Sequence, residues 1–435
     1  MMEKVKVALL GLGTVGSGVW KMISENRDVI ARKTGKWYQI SSVLVKNPEK
    51  KRNLDGVEEV LTTDFSQVLA RDPDVLIEVI GGVEPAFSYI KKAMAKGCHI
   101  VTANKELMAK RGQELEELSG QYGVQLRYEA SVGGGIPVIS TIRHFLKANR
   151  IYRFYGILNG TTNYILTRMS EEACSFADVL KDAQEKGYAE ADPSSDVEGL
   201  DAVYKLSILM RLAFQVHVPV SQIPCQGITD LSPQELQLAE MLGYSVKLLA
   251  RAEQFGENGP VSCSVLPTLV PLHYSLASVR DVYNAVTIEG DYVQDLTFVG
   301  QGAGQKPTAS AVVEDLLNTG ISFEEETGCQ TNPWVLAGED VFLTRFMWLK
   351  VRGQVTKPAL EAQLKEVFAS KLLRWAMLPE QAHTSIGLIV QGCNEQERKD
   401  WLSRWDVEQS QNRPVLVGKT LLDRCPPLFL AKTKA

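Results

Sequence analysis

Short apolar runs alternate with amphipathic stretches over the first 136 residues, and that rhythm predicts strands and helices taking turns. KVKVALLGL (4–12) reads as a buried strand, with SGVWKMISENRDVIARK (17–33) behind it as a single amphipathic helix. ISSVLVK (40–46), DVLIEVIGG (74–82), HIVTANK (99–105) and VQLRYEAS (124–131) read as four more strands. Together they predict a parallel, doubly wound sheet. Beyond residue 137 the pattern changes. RFYGILNG, VSCSVLPTLV and YNAVTIEGDYV alternate like strands of a second sheet, and SFADVLKDAQEKG (175–187) and DAVYKLSILMRLAF (201–214) read as helices covering one of its faces. From about residue 342 a third pattern begins. FLTRFMWLKVRG, HTSIGLIVQG and PVLVGKTLL read as strands, separated by the helices ALEAQLKEVFA and ERKDWLSRW.

At 435 residues the chain is long for one core, so two or three domains are expected. The net charge of −5, with no basic stripe interleaved with aromatics, gives no reason to expect a nucleic-acid partner. No apolar run approaches the roughly 18 residues of a membrane span, and MMEKVKVALLGLG is too short and too quickly structured for a signal peptide. The seven cysteines are scattered, without a CxxC pair or a Cys/His cluster. A disulfide framework or structural zinc is therefore not expected, and a reducing cytoplasm fits best.

The turn GLGTVG lies between the first strand and the first helix, where a GxGxxG motif gives each glycine a task. Gly11 permits the tight turn, Gly13 lets the backbone approach a pyrophosphate, and Gly16 lets the helix pack close. The amides around Thr14 and Val15 add the partial positive charge of a helix N-terminus. A Rossmann-type dinucleotide-binding domain is the expectation. Where an NAD site usually shows an acid, the second strand runs instead into VLVKNPEKKR, with Lys46, Lys50, Lys51 and Arg52. This favours a 2′-phosphate and hence NADP, with NAD possible; a solvated turn would have the same composition.

GYAEADPSSDVEGLDAVYKL (187–206) gathers Glu190, Asp192, Asp196, Glu198 and Asp201 around the single cation Lys205. On a helix Asp201 and Lys205 lie one turn apart on one face, which by itself predicts only a surface ion pair worth about 0.3–0.5 kcal/mol. The surroundings change that reading. TANKELMA (102–109), EASVGGGIPVI (129–139), NGTTNYILTRM (159–169) and this acidic stretch stand in order behind the glycine turn, with GQGAGQKPTASAVVEDL (300–316) after them. Together, over about residues 4–320, they closely resemble the homoserine dehydrogenase family, which interconverts aspartate 4-semialdehyde and L-homoserine on the route to threonine, methionine and isoleucine.

The resemblance implies roles for particular residues. The lysine matching Lys205 is the proton donor to the forming hydroxyl, and Glu190, Asp201 and Asp196 match substrate-holding positions. Lys105, expected at the end of its strand, matches a second lysine near nicotinamide and substrate. Gly187 and Gly302 match cofactor-side positions. Glu129, Val132, Gly134 and Ile136 match the segment that binds a monovalent cation, usually sodium; their carbonyls suit a hard cation, though the glycines could instead form a hinge. The implied architecture is α/β: a dinucleotide-binding domain over 1–136 completed by 300–320, an α+β substrate and dimerisation domain over 137–299, and a small ACT-like α+β domain over 342–435. The resemblance also implies a homodimer or higher homo-oligomer. In the tail the usual acid, proline and glycine before the first helix are replaced by VTKPA (355–359). Ala359 puts a Cβ where backbone amides would reach an amino-acid effector, and adds strain if a positive φ is needed there. Two rivals stay open: another amino-acid dehydrogenase on the same scaffold, and a non-catalytic amino-acid sensor.

Overall fold

The first sheet is parallel throughout and runs β3-β2-β1-β4-β5-β6, built from β1 (Glu3–Leu10), β2 (Lys36–Leu44), β3 (Leu61–Thr62), β4 (Val75–Glu78), β5 (His99–Thr102) and β6 (Leu126–Arg127). The computed structural model describes residues 3–256, 259–320 and 344–416. Strands in the middle of such a sheet are covered on both faces, which is why residues 7–10 of β1 and 75–77 of β4 are unbroken apolar runs. Val7 and Leu9 face a core shared with Val19, Ile77, Val312 and Leu316, while Ala8 and Leu10 face Leu76, Ile90, Ile100 and Leu107. Leu9 and Leu10 are completely buried, each contributing about 1.5–3 kcal/mol by removal from water. The helix Gln305–Leu317 returns to this sheet and lies along Thr14–Glu25. A Cβ on Gly18 would meet Ala309 Cβ at 2.9 Å, so that glycine sets the approach of the two helices.

The second sheet is antiparallel, in the order β11-β10-β7-β8-β9, from β7 (Ile151–Ile157), β8 (Tyr244–Gln254), β9 (Val261–Pro271), β10 (Tyr283–Gly290) and β11 (Gln294–Gln301). The helix Leu200–Phe214 packs on it, with twelve of its residues buried. The third sheet, β13-β14-β12-β15, consists of β12 (Thr344–Arg352), β13 (Leu372–Pro379), β14 (His383–Gln391) and β15 (Val407–Pro414). It docks on the helix Pro233–Met241 of the second unit. Arg413, completely buried, gives its Nε to Glu235 at 2.8 Å and pairs with Asp230 at 3.3 Å. Arg374 donates to the Leu242 carbonyl at 2.6 Å.

Several local expectations need correcting. The helix expected over 17–33 is two helices, Thr14–Glu25 and Arg27–Thr34, because Asn26 leaves helical geometry and its amide caps Met22 at 3.1 Å. β2 starts four residues before the expected strand and ends at Leu44, so Lys46 lies in the loop beyond it. Lys105 does not end a strand. β5 stops at Thr102, and Asn104 caps a helix of which Lys105 is the first residue. In the tail an unforeseen strand, β13, makes the order strand–helix–strand–strand–helix–strand. The strand expected over 414–422 falls mostly on residues outside those described, as do Phe342 and Leu343; the last strand observed is β15, which ends at Pro414. Ala359 is the third residue of the helix Lys357–Phe368 and is not among the positive-φ residues, so the strain argument does not apply to it.

Candidate active site

β1 and β4 are neighbours whose succeeding helices lie on opposite faces, and the glycine turn sits at that switch point, beyond the strand ends. Gly11 has φ +100, and a Cβ on it would lie 2.9 Å from the Val79 carbonyl oxygen. A Cβ on Gly16 would overlap the Gly11 carbonyl oxygen, so the helix is held against the turn itself. Gly13 is different: a Cβ there would meet nothing within 4 Å. Its backbone faces open space at the N-terminus of Thr14–Glu25, which has no side-chain cap and no acid in its first turn. Free amides around Thr14 and Val15, with no competing carboxylate, fit a pyrophosphate. Lys46, Lys50 and Lys51 are exposed in the loop after β2, and the Gly11 amide bonds to Leu44 at the end of that strand at 3.0 Å. Arg52 is not free for a ligand in the same way, since its guanidinium closes the loop onto the carbonyls of Lys50 and Asn47 at 2.8 and 2.9 Å.

Glu78 escaped the sequence reading. It is completely buried at the end of β4, accepts the Ile80 amide at 2.8 Å and takes the Thr102 hydroxyl hydrogen at 2.6 Å. Burial pushes its pKa up against those bonds. It ties the ends of β4 and β5 together, and the only signal was an acid inside the apolar run DVLIEVIGG. Asn104 then anchors the start of the helix beyond β5. Its side-chain oxygen accepts the Leu107 amide at 3.0 Å and its amide reaches the Gly82 carbonyl at 2.6 Å. Lys105, next in the chain, is thereby placed at the start of its helix.

From there Lys105 reaches Asp201 Oδ1, across from the helix Leu200–Phe214. Asp201 Oδ2 pairs with Lys205 at 2.7 Å, and Lys205 also donates to the Leu158 carbonyl at 2.6 Å. The side chains of Asp201 and Lys205 are 2% and 9% exposed, so this is no solvated surface pair. Asn159, missed as a site residue, donates to Asp201 Oδ2 at 2.9 Å and to Asp196 Oδ1 at 2.7 Å. Thr161 donates to the Tyr188 carbonyl at 2.7 Å and lies 3.2 Å from Asp196 Oδ2. The sequence singled out their segment, NGTTNY, but a neutral amide bridging two carboxylates leaves no mark in composition. Glu190 is exposed and joins by its charge: burial works to lower the pKa of Lys105, but Asp201, Asp196 and Glu190 together raise it. Gly187 is exposed too, at φ +74 beyond the helix Phe176–Glu185.

The two lysines end up unlike each other. Burial lowers the pKa of Lys205; Asp201 opposes this, and the neighbouring Lys105 adds to the lowering. Burial alone would raise Asp201, but the two lysines outweigh it and hold the carboxyl well below the usual range. A buried carboxylate thus orders one lysine that keeps its proton and one that gives it up more readily.

Glu129 accepts the Ile139 and Ser140 amides at 2.8 and 2.7 Å, and its own amide donates to Asp315 at 2.7 Å. Val132, Gly134 and Ile136 lie in the turn after it, bent by Gly133 and Gly134 at φ +73 and +59. A Cβ on Gly134 would meet the Gly302 carbonyl carbon at 2.5 Å, so this turn packs directly on the segment before the returning helix. Among the described residues no group of three or more His, Cys, Asp or Glu could hold a metal ion. Nor, among them, is any helix long and apolar enough to cross a membrane.

Two family models match this chain: the homoserine dehydrogenase NAD-binding domain over residues 11–129 and the homoserine dehydrogenase domain over residues 137–317. Homoserine dehydrogenase of Bacillus subtilis is 40% identical over 399 residues, 89% of this chain and 91% of its own length. The crystal structure of a homoserine dehydrogenase from Thiobacillus denitrificans superposes with a TM-score of 0.82 at 34% identity, covering 95% of this chain and 99% of that one. A hyperthermophilic archaeal homoserine dehydrogenase in complex with NADPH matches at 26% identity with a TM-score of 0.63, covering 74% and 99%. The glycine turn at the switch point and the Lys105–Asp201–Lys205 cluster therefore sit in an oxidoreductase scaffold, and the chain belongs to the homoserine dehydrogenase family.

Proposed function

We propose that this chain is an NADP-preferring homoserine dehydrogenase, NAD being the weaker cofactor, in which Lys205 is the proton donor. The observation that supports it best is the state of Lys205: buried, paired to Asp201 and the Leu158 carbonyl, and lowered in pKa beside Lys105. With its pyrophosphate held by the glycine turn and the amides around Thr14 and Val15, the dinucleotide would supply a hydride for the aldehyde carbon of aspartate 4-semialdehyde, or accept one from L-homoserine. The carbonyl electron pair moves onto oxygen, and the Lys205 ammonium protonates it to the hydroxyl, leaving a neutral amine. Lys105 stays charged, positioning substrate and holding Asp201 ionised. Asp201, Asp196 and Glu190 supply the negative field that attracts the substrate's ammonium. The exposed Lys46, Lys50 and Lys51 are the groups that would meet a 2′-phosphate. The relative described in complex with NADPH supports that choice.

A monovalent cation, sodium by preference, would be held by carbonyls at Glu129, Val132, Gly134 and Ile136. Oxygen donors in a glycine-bent turn suit such an ion, and its place is structural. The domains are taken as 1–136 with 300–320, 137–299, and an ACT-like 342–435, working in the cytoplasm as a homodimer or larger homo-oligomer within threonine, methionine and isoleucine biosynthesis. Lys205→Ala should lower turnover by roughly a hundredfold or more, the scale of a positioned acid–base group, while NADPH binding, monitored by fluorescence, persists. Near-normal turnover in the folded variant would overturn the assignment. Assaying homoserine against aspartate separates this reading from another amino-acid dehydrogenase, and any turnover at all excludes a sensor.

A further inference from the structure

The helices that present the two lysines touch a second time, far from the site. Lys105–Tyr122 belongs to the nucleotide-binding sheet and Leu200–Phe214 to the second sheet. Lys105 meets Asp201 at their first turns, and Glu116 meets Arg211 farther along. The helices therefore run side by side in the same direction, their contacts about 15 Å apart at 1.5 Å per residue. Arg211 is 3% exposed. Its Nη1 donates to the Met108 carbonyl at 2.8 Å, and its Nε lies 3.2 Å from Glu116 Oε2. The guanidinium fills a notch that exists because residue 112 is glycine: a Cβ there would stand 2.7 Å from Arg211 Cζ. Glu116 is itself held, accepting the Tyr128 hydroxyl at 2.5 Å and pairing with Arg143 at 3.4 Å.

We propose that Arg211, seated over Gly112 and paired to Glu116, is a positioning device that sets the distance between Lys105 and Lys205. It thereby sets the placement of cofactor against substrate. A buried ion pair is a poor source of stability, since apolar side chains of similar volume would serve as well. A guanidinium hydrogen-bonded to a backbone carbonyl and ion-paired with a carboxylate of the same helix instead restricts both sliding and separation. The helices already have apolar contacts, including Leu107 and Leu115 on one and Val203 and Leu206 on the other. What the clamp adds is register across the boundary between the two sheets. The groups facing Lys205 are Asp201, Lys105 and Asp196, and Lys105 is the one whose position the clamp controls. If Lys105 moves away, Lys205 loses a nearby positive charge and holds its proton to higher pH.

This inference rests on the proposed roles of Lys105 and Lys205, and the test separates the two. Gly112→Ala changes no charge and suits a helix better in itself, yet drives a methyl group into the guanidinium. Glu116→Gln removes the far anchor, and loss of its negative charge alone would move the Lys205 pKa down. Each variant is assayed for homoserine oxidation across pH, with NADPH binding measured separately. Both should lose tenfold or more in kcat, bind NADPH within twofold of the unaltered protein, and show the acidic limb moved to higher pH. In a Lys105→Met background, Gly112→Ala should have little further effect. A folded Gly112→Ala protein with kcat within twofold, or a lowered kcat with an unmoved limb, overturns the clamp. If Gly112→Ala does not fold, Glu116→Gln decides on the same readouts. If Lys105→Met alone leaves kcat unchanged, the reading of the site fails instead.

Discussion

Replacing Asp201 with asparagine removes one negative charge from between two lysines and keeps the side-chain volume. Oδ2 accepts from both Lys205 and Asn159, so the remaining oxygen must stay there, and the new amide then turns its hydrogens towards Lys105. Losing one partner of a buried pair costs about 3–5 kcal/mol. The lower end applies, because the Lys105 side chain is 43% exposed and can swing into water, and Lys205 can shed its proton. About 3 kcal/mol corresponds to a fall of roughly 6–12 °C in the unfolding transition of a domain of this size. The pH dependence has a definite sign. Asp201 is depressed in the folded state, so its contribution is present above its ordinary value of about 3.9 and lost as pH falls towards its folded pKa. The stability gap between the two proteins should therefore be constant at neutral pH and close only below about pH 4. Asp201 also supports the charge of Lys205, so in the variant Lys205 loses its proton at lower pH and aldehyde reduction fails earlier as pH rises. Calorimetry and kcat against pH check both. Unchanged stability at pH 7 together with kcat within threefold and an unmoved limb would refute the reasoning.

Mutating Lys46, Lys50 and Lys51 together to alanine should lower kcat/KM with NADPH tenfold or more and leave NADH nearly unchanged; equal efficiencies in the unaltered protein would make the cluster a solvated turn. Lys105→Arg, which keeps the charge, should retain more turnover than Lys205→Arg, whose guanidinium cannot give up a proton near neutral pH. Glu235→Gln weakens the partner of the buried Arg413 and should cost about 3 kcal/mol, read as a lower unfolding temperature of the tail, with kcat changed less than twofold. On the proposed ACT-like reading of the tail, Ala359 puts a Cβ where backbone amides would reach an effector, so threonine should inhibit weakly or not at all. Strong inhibition at or below low millimolar threonine, with tight binding by calorimetry, would place the effector on another surface of the tail.

The parallel sheet was legible because its strands are buried on both faces and its glycines leave few conformational choices. Gly11, Gly13 and Gly16 each show the steric environment their spacing implied. Boundaries were less legible. Asn26 splits a helix that its hydrophobic period would have continued, since periodicity records which face is buried and not where a backbone amide finds its partner. Lys105 changed from strand end to helix start for the same reason: the Asn104 cap is a side-chain geometry. β13, LLRWAMLP, escaped because it is a partly exposed edge strand in which apolar and polar residues do not alternate. In the site, the lysine–aspartate spacing was visible and its burial was not. Burial comes from Leu158, Asn159 and the helix Lys105–Tyr122, which are distant in sequence.

In the proposed mechanism the two lysines share one carboxylate, and the difference in their burial is what separates their tasks. In isolation, lysines beside the same aspartate would titrate alike. Here Lys105 is partly in water, and although desolvation lowers its pKa, Asp201, Asp196 and Glu190 bring it above the ordinary value. Lys205 shares the same Asp201 but is buried with Lys105 nearby, and its pKa falls. Pushing two like groups apart in this way is how a site assigns one to hold charge and the other to move a proton. Removing Asp201 should move the limb of Lys205 down in pH; if the proposed Arg211 clamp holds Lys105 in place, loosening it should move the limb up. Opposite displacements from two changes in one network would tie the distant clamp and the local carboxylate to the same proton. Displacements of the same sign would mean that the clamp acts on the helices' general packing and not on the distance between the two lysines.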